Sequence, residues 1–362
     1  MFAFWFPIYR KAHKMHNKPK ILFVLKKKQT SHSGLKTISS GLLNSANFVN
    51  DMLVKNGFNS HIVEVKDNND IDREVTKYKA DIVIIEALWV VPSKFEVLTK
   101  LHPKVKWIVR LHSEVPFIAN EGIAIEWVYE YQKFKNVFIS VNSERAQEDF
   151  DGILKDKTIY LPNYYPVDLF KTGFKSNPYK ATLEVGCFGA VRPLKNQLYQ
   201  AVAAIEFAEE KKRKLHFHIN VARVENHGDP VLKNLRALFQ NNPKHKLIEH
   251  TWLSHKEFLN LIKTLDLGLQ VSFTETFNIV AADFVNSNVP VVVSDEIKWM
   301  TKFYKASPTD SCDIKSKMNF ALNAKNFNVQ YLNKVKLWKY CRESESIWTD
   351  FMHSQKHGSD CR

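Results

Sequence analysis

From Lys20 onward, short and almost wholly apolar runs alternate with stretches whose apolar residues recur every third or fourth position, and the alternation happens twice along the chain. That rhythm leaves few folds open. A strand that is apolar on both faces must be covered on both faces, and helices between successive strands do the covering. The pattern therefore predicts parallel sheets wrapped by helices. Ile21-Leu22-Phe23-Val24-Leu25 is the first run; Leu42, Leu43, Ala46, Val49, Met52 and Leu53 follow at helical spacing until Gly57 stops the helix. Further strands are predicted at 60–65, 81–88, 105–111 and 136–141, with helices at 93–101, 121–133 and 143–155.

The rhythm then pauses. Leu161-Pro162-Asn163-Tyr164-Tyr165-Pro166 and the segment 171–181 carry turn chemistry and little periodicity, which marks an interdomain linker. A second run begins at Glu184, with strands near 184–189, 215–221, 246–252, 267–272 and 289–294 and helices near 196–212, 230–240, 254–265 and 278–287. Ser254-His255-Lys256-Glu257 is a capping box at the head of one of them. A last helical stretch, about 328–355, carries Trp338, Tyr340, Ile347, Trp348 and Phe351. The expected architecture is α/β, with two Rossmann-like, doubly wound domains facing a cleft. Its parts are an extension at 1–18, an N-terminal domain at 19–170, a C-terminal domain at 171–327, and a helical segment at 328–362 packing back on the N-terminal domain.

Composition agrees and removes alternatives. At 362 residues the chain is long enough for two domains of roughly 150–180 residues. A hydrophobic fraction of 44% excludes a wholly disordered chain. No apolar run approaches the ~18 residues of a membrane span. Four widely spaced cysteines (Cys187, Cys312, Cys341, Cys361) offer neither zinc nor disulfide spacing, which fits a reducing cytoplasm. The charge is unusual, at 52 basic against 38 acidic residues. Nine of the excess fourteen fall in residues 1–36, ahead of the first carboxylate, Asp51. Either a polyanion or anionic membrane surface meets this end of the chain, or the lysines simply solvate it. The first residues, Met-Phe-Ala-Phe-Trp-Phe-Pro-Ile-Tyr-Arg-Lys, make a poor signal peptide, because the charges follow the apolar part and Pro7 interrupts it.

Open α/β sheets bind ligands beyond the carboxyl ends of their strands. After the first strand of the second half the chain reads Gly186-Cys187-Phe188-Gly189-Ala190-Val191-Arg192-Pro193-Leu194-Lys195-Asn196-Gln197. A glycine turn, two cations three apart and a helix start suit a diphosphate; the alternative is a surface loop with two ordinary bases. It is not a nucleotide-binding P-loop, which would end Gly-Lys-Ser/Thr. The second loop, Ser272-Phe273-Thr274-Glu275-Thr276-Phe277-Asn278, leads into a helix holding Asp283. Carboxylates there can accept hydrogen bonds from sugar hydroxyls, although Glu275 taken alone serves equally to stabilise the helix start.

These two loops, with Thr251-Trp252-Leu253 and Val289-Pro290-Val291-Val292-Val293-Ser294, resemble family-4 glycosyltransferases, which are retaining nucleotide-sugar enzymes of the two-domain GT-B fold. In the first half, Gly34 and Gly41 resemble the family's glycine-rich turn, His112 in Val109-Arg110-Leu111-His112-Ser113-Glu114 its histidine after the fourth strand, and Leu161-Pro162-Asn163 its pre-linker strand end. The resemblance implies roles. Arg192 and Lys195 would neutralise the departing diphosphate, Glu275 would orient the sugar and Asp283 would hold the ribose. The amides of Thr276, Phe277 and Asn278 would face a phosphate, with Gly34, Gly189 and Asn196 also on the donor side and His112 among the catalytic groups. Asp283 is one methylene shorter than the family's second Glu, and Asn278 stands where the family has glycine. A nucleotide-diphosphate sugar is the implied donor, with no cofactor and no divalent metal. Lys26, Lys27 and Lys28 would hold acceptor phosphates. The chain is also similar to glycosyltransferases of large tailed phages, some of which decorate hydroxylated bases in phage DNA, which would place it in the host cytoplasm. The other implied acceptor is a cell-surface or lipid-linked glycan, with peripheral membrane contact through residues 1–36. A GT-B-like binding protein without activity is the reading from another class.

Overall fold

The computed structural model describes residues 18–27, 41–170, 180–225, 227–251, 253–323 and 327–355. Two parallel sheets form it. The first contains β1 (Lys20–Lys26), β2 (Asn59–Val65), β3 (Ile82–Glu86), β4 (Lys106–Leu111), β5 (Val137–Val141) and β6 (Ile159–Tyr160), in the order β2-β1-β3-β4-β5-β6. The second contains β7 (Thr182–Gly186), β8 (Lys214–Asn220), β9 (Lys246–His250), β10 (Leu267–Gln270) and β11 (Val291–Val293), in the order β11-β10-β7-β8-β9. The two-faced apolar strands are buried as their composition requires: no side chain of Ile82–Ile85 is more than 1% exposed.

Each sheet reverses its strand order once, between β1 and β3 and between β7 and β10. At such a switch point the loops leaving two adjacent strands diverge and open a crevice. The second switch point sets the 187–196 loop beside the 271–278 loop, so the two loops that carry chemistry in the sequence become neighbours.

The helices Asp70–Tyr78 and Ser311–Leu322 fall where no helix is predicted. Asp70–Tyr78 buries only Ile71 and Val75, too few apolar positions to show a period, and lies among polar residues. The helix Phe327–Ser354 joins the two halves. Leu337 and Cys341 belong to the C-terminal core, while Trp348 and Met352 pack with Phe23, Val49 and Leu53 of the N-terminal one. Twenty-eight helical residues span about 42 Å, enough to reach both. The Trp348 indole N–H donates to the Pro162 carbonyl at 2.7 Å, pinning the helix to the linker. No helix among the described residues is long and apolar enough to cross a membrane.

Candidate active site

Loops following strands of both sheets enclose a cavity of about 480 Å³, lined by residues such as Ser45, Ala87 and His112 on one side and Gly189, Arg192, Lys195, Thr274 and Glu275 on the other. That volume suits a small molecule.

On the C-terminal wall, the turn after β7 starts at Gly189, whose φ of +119° excludes an ordinary side chain. A single 3₁₀ turn, Pro193–Lys195, then brings Arg192 and Lys195 to the cavity. Glutamines brace this loop from behind. Gln197 donates to the Ala190 carbonyl at 2.9 Å, and Gln200 donates to the Lys195 carbonyl at 2.8 Å while accepting from the Val271 amide. The Arg192 guanidinium lies 4.3 Å over the Phe117 ring of the N-terminal domain, a cation–π contact across the cleft. Its Nε is buried without a hydrogen-bond partner among the described residues, and its nearest carboxylate, Glu225, is 3.9 Å away. Burial holds the Arg192 pKa below its ordinary value. Lys195 is paired with Glu275, and both are nearly buried. Burial depresses the Lys195 ammonium and Glu275 only partly offsets this.

The second loop brings the start of the helix Ile279–Asn286 to the same space. Asn278 adopts φ +58°, a left-handed conformation that glycine reaches freely and asparagine tolerates. Its side chain accepts from the Ala281 amide at 2.9 Å, capping the helix, and donates to Gln270 at 3.0 Å. Glycine and asparagine thus solve one backbone problem, and this residue adds a cap. Asn278→Ala should destabilise the domain by about 1–2 kcal/mol in urea unfolding, and Asn278→Gly by less. Among the described residues, the N–H groups of Thr276, Phe277 and Asn278 donate to nothing. The Thr274 hydroxyl, also on the cavity, has no partner among them either. The helix start therefore offers donors to an anion.

Asp283 lies deeper, 2% exposed, where its Oδ1 accepts from the Tyr165 hydroxyl at 2.7 Å and meets His255 Nε2 at 2.7 Å. Burial pushes its carboxyl up. Neither Tyr165 nor His255 is predicted from the sequence as a site residue. Tyr165 lies in the linker and is 118 residues from Asp283, and the capping-box position of His255 hides its second use.

On the N-terminal wall His112 follows β4 and lines the cavity. It bonds through Nε2 to Glu86, which is fully buried on the neighbouring strand beside Arg110. Burial and the Arg110 guanidinium hold the His112 pKa below its ordinary value. A neutral imidazole giving its Nε2 proton to Glu86 leaves the Nδ1 lone pair toward the Asn142 amide, 3.4 Å away. Asn142 also donates to the Thr276 hydroxyl at 3.1 Å, so one side chain links the histidine wall to the opposite loop. Glu86 and Arg110 are not predicted from the sequence as site residues. Their signal is a charge in each of two otherwise apolar strands, at positions that face each other in register.

Two groups of expected site residues, Asn196 and the pair Lys26 and Lys27, lie off the cavity. Asn196 does not line the cavity; its amide is spent on the carbonyls of Val271 and Pro308, so it holds the two loops together. The Phe277 ring is a core side chain stacked on Tyr340 at 5.3 Å, so its part in the cavity is its backbone, the group expected to face a phosphate. Lys26 and Lys27 are exposed at the end of β1 and do not line the cavity. Lys28, Gly34, the 1–17 part of the extension, residues 171–179 of the linker and Trp252 lie outside the described residues.

No family model matches the chain, and no curated protein matches it in sequence. Solved structures do match it in shape. Sucrose-phosphate synthase from Thermosynechococcus elongatus superposes with a TM-score of 0.68 at 11% identity, covering 94% of this chain and 100% of that one. The N-terminal domain of Candida albicans trehalose-6-phosphate phosphatase gives 0.65 at 14%, over 94% and 98%. A trehalose-6-phosphate structure from E. coli, bound with UDP-2-fluoro glucose, gives 0.65 at 11%, over 93% and 99%. The fold is the two-domain GT-B arrangement.

Proposed function

We propose that the chain is a retaining glycosyltransferase that moves a sugar from a nucleotide-diphosphate donor to a hydroxyl acceptor. One observation carries this reading: Arg192, Lys195, Glu275 and the unbonded amides at the start of the Ile279–Asn286 helix converge on a single cavity between the two domains. Diphosphate departure builds negative charge on its terminal oxygens. Two fixed cations and a helix N-terminus stabilise that charge with little reorganisation, which is electrostatic catalysis by a prepared environment. Glu275 accepts from sugar hydroxyls while holding the Lys195 ammonium toward the phosphate. The donor is expected to bind chiefly on the C-terminal wall, where these cations and amides lie; the similar E. coli structure is one bound with UDP-2-fluoro glucose.

The cavity also bears on the acceptor. Among the described residues, its N-terminal wall presents Asn44, Ser45, His112, Ser113, Glu114, Glu121 and Asn163, and the lysine and arginines of the lining, Arg192, Lys195 and Arg223, all come from the C-terminal half. Neutral hydrogen-bonding groups with two carboxylates suit a hydroxyl-rich, uncharged acceptor and disfavour phosphates beside the reacting hydroxyl. A glycan is therefore preferred over a hydroxymethylated base in DNA. Purified protein should release a nucleoside diphosphate from one member of a nucleotide-sugar panel, with EDTA present, and hydroxymethylated DNA should not stimulate that release. Stimulation by DNA with a steep salt dependence would restore the DNA acceptor. No release from any donor would leave the fold as that of a binding protein.

A further inference from the structure

We propose that a second cavity, at the linker end of the cleft, is a ligand site for a zwitterion whose ammonium and anionic groups lie about 10 Å apart. The site stands without the nucleotide-sugar reading; only its coupling to the donor rests on that reading.

This cavity, of about 620 Å³, lies between the loop after β5, the strand β6, the loop after β11 and the helix Phe327–Ser354. Its volume falls in the range of small-molecule sites. It adjoins the first cavity, since Glu114 and Thr276 line both. Arg145 joins the two domains here: its guanidinium bonds Glu296 at 2.6 and 3.1 Å, and its Nε bonds Glu114 at 2.9 Å. That triad is satisfied. Six other charged side chains of the lining are not. Lys298, Lys336, Lys339, Glu144, Glu148 and Glu343 are exposed and have no ion pair among the described residues. Lys339 and Glu343 stand four apart on one helix and still do not pair.

These charges are sorted by sign. Burial depresses the Lys305 ammonium, and the nearby charges of Lys298 and Lys336 depress it further. Burial pushes the Tyr160 hydroxyl up, and the nearby charges of Glu144 and Glu343 push it further. A lysine pole therefore includes the loop after β11, and a carboxylate pole includes the start of the helix Glu144–Ile153. Both poles continue onto the helix Phe327–Ser354, where Lys336 and Glu343 are separated by about 10 Å of rise. A simple anion would be attracted by one pole and repelled by the other, and so would a simple cation. A molecule carrying both charges is attracted at both ends. The Tyr160 ring beside the carboxylates suits the ammonium end.

Such a ligand would act on the donor site. Its two ends would touch different domains, Glu144 and Glu148 in one and Lys298 in the other. Asn142 also lines this cavity, and its amide donates to the Thr276 hydroxyl at 3.1 Å and lies 3.4 Å from His112 Nδ1. Holding the two walls together here holds the Thr276 loop against the histidine wall. Zwitterion and donor diphosphate should therefore tighten each other's binding by the same factor.

The probes are triglycine, whose extended chain places its charged ends about 10 Å apart, and 6-aminohexyl phosphate, a non-peptide zwitterion of similar reach. Each is compared with its single-charge forms: N-acetyl-triglycine and triglycine amide, hexyl phosphate and hexylamine. Calorimetry at low salt should show at least one zwitterion binding roughly tenfold tighter than both of its single-charge forms, the effect of one added charged contact. Which of the two binds distinguishes a peptide from an aminoalkyl phosphate. Lys336→Gln with Lys339→Gln, and Glu144→Gln with Glu343→Gln, should each erase that advantage at wild-type melting temperature, because these side chains are exposed. Failure of both zwitterions to bind at millimolar concentration, equal binding of a single-charge form, or an advantage that survives in either double variant would overturn the inference. The same titrations run with UDP, GDP, ADP and CDP read the coupling, and unchanged affinity for a diphosphate that does bind would overturn that part alone. A protein that binds a zwitterion but no nucleoside diphosphate would overturn the donor reading and leave this site standing.

Discussion

Glu86→Ala should be among the most destabilising single replacements in the N-terminal domain, costing about 3–5 kcal/mol, because it strands a buried arginine. Glu86 and Arg110 are each 0% exposed and pair across β3 and β4 at 3.2 Å. Burial opposes the charge on Glu86, yet Arg110 and His112 together hold its carboxyl below the ordinary value, so it is ionised at neutral pH. The stranded arginine would keep its other bonds. Arg110 donates to the Leu161 carbonyl at 3.1 and 3.2 Å, to the Pro162 carbonyl at 3.2 Å and to Asn163 at 2.9 Å. Those contacts neutralise no charge, so the loss falls on the charge itself. Glu86→Gln separates the two parts, since it keeps the shape and a hydrogen-bonding group for His112 while removing the counter-charge. It should therefore cost most of what Glu86→Ala costs. Urea unfolding followed by intrinsic fluorescence would measure both. A Glu86→Gln variant as stable as the wild type would mean that the pair contributes through shape and hydrogen bonding alone.

That network shows where sequence reading stops. The apolar runs and helical spacings specify both sheets and the cleft between them, because burial of strands on both faces is a local property of composition. The two cleft loops are legible for a similar reason: Arg192 and Lys195 lie three residues apart in one loop, and Glu275 and Asp283 eight apart in and after the other. What escapes depends on pairs distant in the chain. Glu86 and Arg110 pass as interruptions of apolar strands until the register places them face to face. Asp283 is visible as a carboxylate one turn into a helix, but its partners Tyr165 and His255 come from the linker and from a helix start. Asn196 and Asn278 look alike in sequence and both have φ of +58°. Only Asn278 opens on the cavity, because the amide of Asn196 is taken by two carbonyls of the folded loops.

Lys195→Ala and Arg192→Ala should each lower turnover at least ~100-fold, the usual effect of removing one donor aimed at developing charge. The two should differ in kind. Arg192 offers a guanidinium edge with a partnerless Nε and a distant carboxylate, and it rests on Phe117. On the proposed reading its loss removes a phosphate contact as well as the contact with Phe117 of the other domain, so both donor affinity and turnover should fall. Lys195 instead stands beside Glu275, whose side chain is only 9% exposed. Lys195→Ala leaves that carboxylate buried, without its cation, next to the diphosphate. Donor binding then suffers from repulsion as well as from the lost contact. Adding Glu275→Gln to Lys195→Ala should therefore recover donor affinity but not turnover, because on the proposed reading Glu275 also orients the sugar. A double-mutant cycle read separately in donor Kd and kcat resolves this, with a shared partner giving clear non-additivity. Near-normal turnover in either single variant, at wild-type melting temperature, would remove that residue from charge stabilisation. Additive behaviour in the cycle would mean that Lys195 and Glu275 act on the donor independently despite their contact.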